Sequence, residues 1–198
     1  SKDDFINSCK TYPLPEYITA DPKRKFSLEG YLFPDTYEFK KGATGKDIIE
    51  IMLKRFDTVV NDVKSKKGKS ITNTELDKLI IMASIVEKEV QKPSERTMAA
   101  SVFYNRLSIG RKLESCATVL YALGVHKDVL SIEDTKVNSP FNTYLVSSLP
   151  QGPICSPGRA AIEPAQTKYY YFVSKNDGSH EFNETFDGHI ASSRKYQK

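Results

Sequence analysis

Apolar side chains recur at helical spacing in two long segments of the chain. From Gly45 to Lys64, apolar residues return every three or four positions, which predicts an amphipathic helix. The second segment begins at Thr72, which stands three residues before Glu75 in the pattern of a capping box, and its apolar positions continue to about Val90. Both helices are expected to bury a face in a common core.

Shorter helices and a long loop follow. Pro93 predicts the first turn of a third helix that ends near Gly110, and a short helical segment ends at Gly124. The region from Asn138 to Gly158 is rich in Pro, Gly, Ser and Asn, a composition typical of loops. We expect an ordered loop here, and loops of this length inside a compact domain are usually functional or mobile.

Strand patterns are confined to two places. Aromatic residues alternate with turn residues over Ser27–Phe39, which predicts a short strand and a turn. Near the C-terminus the pattern predicts a helix at Arg159–Thr167, the strand YYYFVS, an Asn-Asp-Gly turn, a second strand around His180–Phe182 and a closing helix. The predicted fold class is therefore α+β: a mainly helical domain with small β elements and a C-terminal β-hairpin.

Two glutamates end the almost unbroken apolar run LIIMASIVEKEV at residues 79–90. At about 100° per residue, Glu87 falls within the broad apolar face of this helix, whereas Glu89 falls on the opposite side with Lys78. We therefore expect Glu87 to lie among core side chains and Glu89 to face water.

The position of Glu87 makes it a candidate catalytic residue. A carboxyl group in apolar surroundings loses hydration, which disfavours its charged form. A carboxyl that keeps its proton near neutral pH can act as a general acid. Glutamates at helix ends are also commonly solvated or paired, and Lys88, Lys92 or Arg96 is a possible partner. Periodicity alone leaves both interpretations open.

The composition is that of an ordinary globular protein with room for one sizeable domain. Of 198 residues, 39% are hydrophobic and 27% charged, and the formal net charge is +4. The lysines are scattered apart from a cluster that we interpret as a solvated loop, at Lys64, Lys66, Lys67 and Lys69 around Gly68. No basic stripe with interleaved aromatics and no nucleic-acid-binding motif is present, so no nucleic-acid partner is expected.

The beginning of the chain and its cysteines add little chemistry. Residues 1–28 are polar with little periodicity, and we interpret them as a linker or the remnant of a preceding domain. No run approaches 18 apolar residues and the start does not resemble a signal peptide, so we expect any anchor to lie upstream.

Cys9, Cys116 and Cys155 are too widely spaced for a zinc ribbon or disulfide scaffold, and no His/Cys cluster suggests a metal.

A series of motifs resembles one known family, in the same order along the chain. The motifs are LEGYLFPDTYEF, ASIVEKE, ERTMAASVFYNRLSIGRKLESCATVLYALG, SPFNTY, SLPQGPICSPG and YYYFVSKNDGSHEF. Together they resemble the YceG-like family of endolytic murein transglycosylases, also called the MltG family, from about Leu28 to His189. The resemblance implies a YceG-like catalytic domain over residues 29–198, preceded by a LysM-like region of which residues 1–28 would be the end or the linker.

The resemblance also implies a reaction. Members of this family cleave the MurNAc–GlcNAc β-1,4 bond within peptidoglycan strands and leave a 1,6-anhydro-MurNAc end, without a metal or cofactor. Their catalytic residue is the first glutamate of the ASIVEKE motif, Glu87 in this chain, which acts as general acid and then as general base. Family members are membrane-anchored, face the outside of the cytoplasm, act on nascent strands and are coupled to peptidoglycan synthases such as penicillin-binding proteins.

Further positions match family motifs and are candidate substrate-binding residues. They are Glu29, Asn105, Ser115, Thr118, Tyr121, Asn142 and Tyr144. Aromatic faces and amides suit sugars, which supports a sugar groove near Asn142 and Tyr144. Ordinary structural roles, such as a bond from Asn105 that ties two helices together, are an equally open interpretation.

Two departures from the family pattern place cysteines at Cys116 in LESCATV and at Cys155 in PICSPG. We hypothesise that these thiols are neighbours joined by a disulfide, with chance proximity of two buried thiols as the alternative. The altered LESCATV motif is also compatible with a non-catalytic peptidoglycan-binding or scaffold module. A third interpretation is a hydrolase in which one of these cysteines acts with His126, His180 or His189, but no signature around either cysteine supports it.

Overall fold

The computed structural model describes residues 1–67, 70–127, 129–163 and 165–197, with the backbone alone at residues 66 and 67. Its helices and strands are α1 (Lys2–Thr11), α2 (Gly45–Lys67), α3 (Asn73–Glu89), α4 (Arg96–Ser108), α5 (Cys116–Leu123), α6 (Arg159–Ile162), β1 (Tyr171–Ser174), β2 (His180–Asn183) and α7 (Phe186–Tyr196). The described strands form one two-stranded sheet among these helices, so the predicted α+β class is confirmed.

Helix α3 is the centre of the core. The predicted capping box is present, because the Thr72 hydroxyl accepts the Glu75 N–H and the Glu75 carboxylate accepts the Thr72 N–H. Between Leu76 and Val86 every side chain except that of Lys78 is buried. Helices α4, α5 and α6 all contact α3, which covers a helix that is apolar nearly all round. The C-terminal end of α3, where the two glutamates lie, is thus enclosed by several elements.

The C-terminal hairpin forms where the sequence predicts it. Strands β1 and β2 are antiparallel, with Tyr171 opposite Asn183 and Ser174 opposite His180. The turn between them uses left-handed backbone at Asn176 (φ 63°) and Gly178 (φ 79°), as an Asn-Asp-Gly sequence favours. Helix α7 packs on both strands, so the hairpin and the closing helix form one unit.

A predicted strand and a predicted helix differ from the structure, the first in type and the second in extent. Ser27–Phe39 forms turns followed by chain without regular secondary structure, and it contains no strand. Gly30 (φ +94°) lies so close to Pro153 that a Cβ atom would be 2.5 Å from its ring, so this segment packs against the 138–158 loop. The helix predicted at Arg159–Thr167 ends at Ile162, because Glu163 precedes Pro164 and takes an extended conformation.

Residues 1–28 contribute to the fold instead of forming only a linker. Helix α1 packs on α2, and Asp4 Oδ2 accepts the N–H of Gly45 at 2.6 Å. Ile18 and Leu28 belong to the core. The LysM-like origin of this segment stays a prediction. The predicted lysine-rich loop is wrong at Lys64, Lys66 and Lys67, because α2 continues to Lys67, and its Gly68 and Lys69 part lies outside the described residues.

Candidate active site

The Glu87 carboxylate lies at the end of α3, held by two donors. Its Oε1 is 2.8 Å from Nη1 of Arg96, and its Oε2 accepts the backbone N–H of Gly158 at 3.1 Å. The side chain of Glu87 is 22% exposed and that of Arg96 is 14% exposed. The two oxygens are therefore oriented by separate partners, one from the start of α4 and one from the end of the 138–158 loop.

This environment corrects the expectation of a carboxyl surrounded by apolar side chains. Glu87 does lie on the side of α3 that packs against the domain, but an ion pair meets it there. Arg96 was one of three possible partners in the sequence, and it reaches back over the end of α3, where its Nε also donates to Val90 O at 3.1 Å. A helical wheel shows the direction of a side chain and does not show which charges neighbouring elements bring to it.

The second glutamate, Glu89, does not face water as the sequence pattern predicted. Its Oε1 accepts the Ala117 N–H at 3.0 Å and also accepts the Ser115 hydroxyl. These donors lie at the N-terminal end of α5, where backbone N–H groups are unpaired within the helix and favour a negative charge. Glu89 therefore joins the end of α3 to the start of α5. Nothing in the spacing of the residues indicates this contact, because it links two separate helices.

Glu89 also lines two cavities that share part of their walls. One has a volume of about 440 Å³ and includes Arg106, Glu114 and Tyr144, and the other has about 580 Å³ and includes Gln91 and His180. Both cavities are lined by Glu89, Cys116, Phe172, His189 and Gln197. The open volume at this end of α3 is thus bordered by the helix end, the start of α5 and the hairpin unit.

Glu29 and Tyr121, both predicted from the motifs, are in contact. The Tyr121 hydroxyl donates to Glu29 Oε2, and Lys25 Nζ lies 4.3 Å from the centre of the Tyr121 ring. Burial raises the pKa of the Glu29 carboxyl, although the Tyr121 hydrogen bond and the charges of Lys25 and Lys88 act in the opposite direction. A cavity of about 540 Å³ is lined by Tyr121, Lys25, Lys88 and Ile154 among others.

Four other predicted residues have their polar atoms occupied inside the fold. Ser115 and Thr118 are buried, with bonds from Ser115 N to Thr143 Oγ1 at 3.0 Å and from Thr118 Oγ1 to Ser115 O at 2.7 Å. Asn142 is buried and its amide donates to the Thr135 and Val137 carbonyls. Asn105 donates to the carbonyls of Thr167 and Tyr169. These four side chains organise the loops around the site, and Ser115 lines the 440 Å³ cavity together with Tyr144.

The hypothesis of a disulfide between Cys116 and Cys155 is wrong for this structure, in which both thiols are free. Cys116 is exposed at the start of α5, with its sulfur 3.4 Å from the Tyr144 hydroxyl, and Cys155 donates to Ser84 O at 3.3 Å. The two sulfurs thus have different partners. Burial raises the pKa of the Cys155 thiol to about 12 and also raises that of Cys116, so both favour the unreactive thiol form.

The histidines give little support to a hydrolase. His180 Nδ1 is 2.9 Å from Glu95 Oε2, and the His189 ring stacks on Tyr171 with centroids 5.1 Å apart. Across the described ranges, no hydrogen bond joins a cysteine to a histidine, and no group of three or more His, Cys, Asp or Glu side chains is placed to hold a metal ion. Of the helices described, none has both the length and the apolar content to cross a membrane.

Comparisons with known proteins identify relatives over nearly all of the chain. The model of the YceG-like family matches residues 4–195. A protein of Bacillus subtilis (strain 168) named endolytic murein transglycosylase is 40% identical over 200 residues, which is 97% of this chain and 55% of that protein. A protein of the same name from Streptococcus pneumoniae serotype 2 is 38% identical over 175 residues, which is 82% of this chain and 31% of that protein.

A solved structure has the same fold. The crystal structure of a yceG-like protein from Listeria monocytogenes superposes with a TM-score of 0.74 at 34% sequence identity, covering 96% of this chain and 63% of that one. The chain therefore spans about half the length of the Bacillus relative and about a third of the Streptococcus relative.

Proposed function

Because the chain belongs to the YceG-like family, we propose that it cleaves peptidoglycan glycan strands as an endolytic lytic transglycosylase. The bond would be the β-1,4 bond between MurNAc and GlcNAc, and the product would carry a 1,6-anhydro-MurNAc end. The observation that carries the proposal is the name endolytic murein transglycosylase, which the Bacillus and Streptococcus relatives share. The geometry of Glu87 supports it, because a carboxylate with two fixed donors lies at the end of the central helix.

Glu87 would transfer both protons of the reaction. In its protonated form it gives its proton to the glycosidic oxygen while the bond from C1 to that oxygen breaks, and the bonding pair stays on the leaving oxygen. The carboxylate then accepts the proton of the MurNAc 6-hydroxyl as O6 forms its bond to C1. No water takes part, so the second carboxylate that glycosidases use to activate water or attack C1 is not required.

The contacts of Glu87 define what has to move before the first step. Both oxygens already contact a donor, so a glycosidic oxygen can approach one of them closely only if that donor moves aside. Arg96 is on a long side chain, whereas the Gly158 N–H belongs to the backbone. We expect the bound glycan to take the place of the guanidinium at Oε1 in the first step only. Arg96 stays at the end of α3 through its bond to Val90 O and can return to orient the carboxylate that this step leaves, while Gly158 keeps its bond to Oε2.

The setting of the reaction is part of the proposal. Peptidoglycan lies outside the cytoplasm, so we propose an extracytoplasmic site of action, with a membrane anchor and a LysM-like region upstream of this chain. Penicillin-binding proteins or other peptidoglycan synthases are the proposed partners. The catalytic domain needs no metal or cofactor for the chemistry above.

Mass spectrometry of peptidoglycan digested by this chain tests the function. Products with anhydro-MurNAc ends are expected from the parent protein, and Glu87→Gln should lower their yield by about 100-fold or more. Glu133→Gln is the matched control, because Glu133 is 83% exposed and its ion pair with Lys136 lies at the surface. No products from a folded parent protein would favour the binding or scaffold module, and cleaved stem peptides would favour the hydrolase.

A further inference from the structure

Glu87 and Glu29, two of the carboxyl groups near the end of α3, have opposite electrostatic surroundings. Glu87 is paired with Arg96 at 2.8 Å. Glu29 is partly buried between the buried residues Leu28 and Gly30, and it accepts the neutral hydroxyl of Tyr121. Within the described ranges, no lysine or arginine nitrogen lies within 4 Å of Glu29. One carboxyl group therefore has a cation at hydrogen-bonding distance, and the other has a phenol.

The end of the 138–158 loop connects Glu29 to the proposed catalytic residue. Gly30, next to Glu29, packs closely on Pro153, and five residues later Gly158 donates its N–H to Glu87. Between these two contacts lies Cys155, whose thiol is close enough to feel the charges of both Glu29 and Glu87. Glu29 is thus a second carboxyl group of the same site.

Four groups face Glu29 from the elements around it. Tyr121 comes from α5, Lys88 from the end of α3, Lys25 from the chain before Leu28, and Cys155 from the 138–158 loop. Tyr121 and the two lysines favour the ionised form, but burial opposes it and is the larger effect, so the pKa of Glu29 is raised. Glu29 consequently keeps its proton to a higher pH than an ordinary glutamate.

We propose that Glu29 binds the glycan in its protonated form and donates its O–H to the acetamide carbonyl oxygen of an N-acetylated sugar. The proposal rests on the proposed function, since it takes the glycan strand as the ligand. Tyr121 already occupies Oε2 as a donor, which leaves Oε1 to carry the proton. A neutral acid can donate to a neutral carbonyl without a charge being buried beneath the substrate. Glu29 is therefore a binding residue, and Glu87 performs the proton transfer.

The proposal predicts the direction in which affinity for the glycan changes with pH. The donor is present below the pKa of Glu29 and is lost as the pH rises through that raised value. Affinity for the glycan should therefore be highest at acidic pH and should fall about fivefold as Glu29 ionises, the effect of losing one hydrogen bond. Because the contact is with the bound sugar and not with the bond that breaks, the effect belongs to Kd or KM and not to kcat.

Calorimetric titration of a peptide-free fragment of alternating GlcNAc and MurNAc, measured across acidic to neutral pH, tests this directly. The Glu87→Gln background prevents turnover. Adding Glu29→Gln keeps an N–H donor for the sugar and an oxygen for Tyr121 at every pH. The Kd of this variant should therefore not change with pH, and it should equal the Kd that the Glu87→Gln background shows at acidic pH. Adding Glu29→Ala should give weak binding at every pH. Equal affinities for the Gln and Ala variants, or an unchanged pH dependence with Gln, would overturn the proposal.

Tyr121→Phe gives a second test that does not depend on removing the carboxyl group. Loss of the hydroxyl removes a donor that favours ionised Glu29, so the midpoint of the pH dependence should move to higher pH. A midpoint that stays or moves lower contradicts the assignment to Glu29. Glu133→Gln, at an exposed site, should leave the pH dependence as it is.

The binding assay and the product assay separate the two proposals. An active enzyme whose glycan binding does not respond to Glu29→Gln would overturn the role of Glu29 alone. A protein that forms no anhydro-MurNAc products but shows the predicted pH-dependent binding would retain Glu29 as a glycan-binding residue while the proposed reaction fails. No glycan binding at any pH would overturn the inference.

Discussion

Arg96 contacts Glu87 at 2.8 Å through Nη1 and donates from Nε to Val90 O at 3.1 Å. One side chain at the start of α4 therefore caps the end of α3 and orients the carboxylate that we propose to be catalytic. An arginine can bind both groups because its planar guanidinium presents several donors in fixed directions, which a lysine ammonium does not.

Removal of this guanidinium should impair turnover more than substrate binding. Arg96→Met keeps the length of the side chain, and we expect kcat on peptidoglycan to fall by roughly 10- to 100-fold, because a small misplacement of a catalytic group is costly. Arg96→Lys should lie between the parent and Met. Steady-state kinetics with Arg55→Met as control, which breaks an exposed pair with Asp35, would check this. Full kcat in a folded Arg96→Met protein would show that the ion pair does not orient Glu87.

Glu89 should matter for stability through its contact with α5. Glu89→Ala leaves the Ala117 N–H and the Ser115 hydroxyl without their acceptor, and hydrogen bonds to a charged group contribute about 2 kcal/mol to the free energy of unfolding. Glu89→Gln retains an acceptor oxygen and should cost less. Urea denaturation measures both, with Glu133→Ala as the exposed control. Equal stability of the Glu89→Ala and Glu133→Ala proteins would contradict the contact.

The segment before residue 28 should be required for folding, through a buried ion pair. Arg24 and Asp77 are 2.6 Å apart with side chains only 3% and 7% exposed, and Tyr31 also donates to Asp77. Asp77→Ala leaves the guanidinium buried without its partner and should lower the free energy of unfolding by about 3 to 5 kcal/mol.

The exposed pair of Asp35 with Arg55 is the matched control for that experiment. Its side chains are 38% and 45% exposed, so Asp35→Ala should cost less than about 1 kcal/mol. Chemical denaturation of the two variants compares them directly. Similar losses of unfolding free energy from Asp77→Ala and Asp35→Ala would show that the buried pair of Arg24 with Asp77 does not hold the segment before residue 28 on α3.

The three cysteines should titrate as free thiols of unequal reactivity. In native protein at mildly alkaline pH, a thiol reagent should reach Cys116 first, because it is exposed, and Cys155 later, because burial raises its pKa to about 12. Counting by absorbance under denaturing, non-reducing conditions should give three thiols. One thiol in air-oxidised protein would restore the disulfide hypothesis.

Local patterns in the sequence predict most of the secondary structure. The capping box at Thr72 and Glu75, the proline at position 93 and the Asn-Asp-Gly turn each specify a feature within a few residues, because caps and turns depend on neighbouring backbone groups. The strand expected at Ser27–Phe39 is absent, because a strand depends on a partner elsewhere in the chain as well as on its own residues. Alternating aromatics can form a strand only if another strand is available to pair, and this segment instead packs on the 138–158 loop.

In the candidate site too, local spacing predicts positions along one helix but does not predict contacts between separate elements. The motif points to Glu87 as the proposed catalytic residue, and the helical wheel gives only the directions in which Glu87 and Glu89 leave α3, since both depend on spacing along one helix. The ion pair with Arg96, the capping of α5 by Glu89 and the occupied amides of Asn105 and Asn142 are contacts between separate elements. No periodicity along the chain encodes those contacts.

The sequence by itself thus determined the family, the helical core and the glutamate on which the proposed chemistry depends. Only the tertiary structure decided that Glu87 is ion-paired, that Glu29 accepts a hydrogen bond from Tyr121, and that Ile18 and Leu28 from the first 28 residues belong to the core. The physical reason is that the environment of a charge is set by groups distant in sequence, because Coulomb interactions and desolvation depend on distances in space.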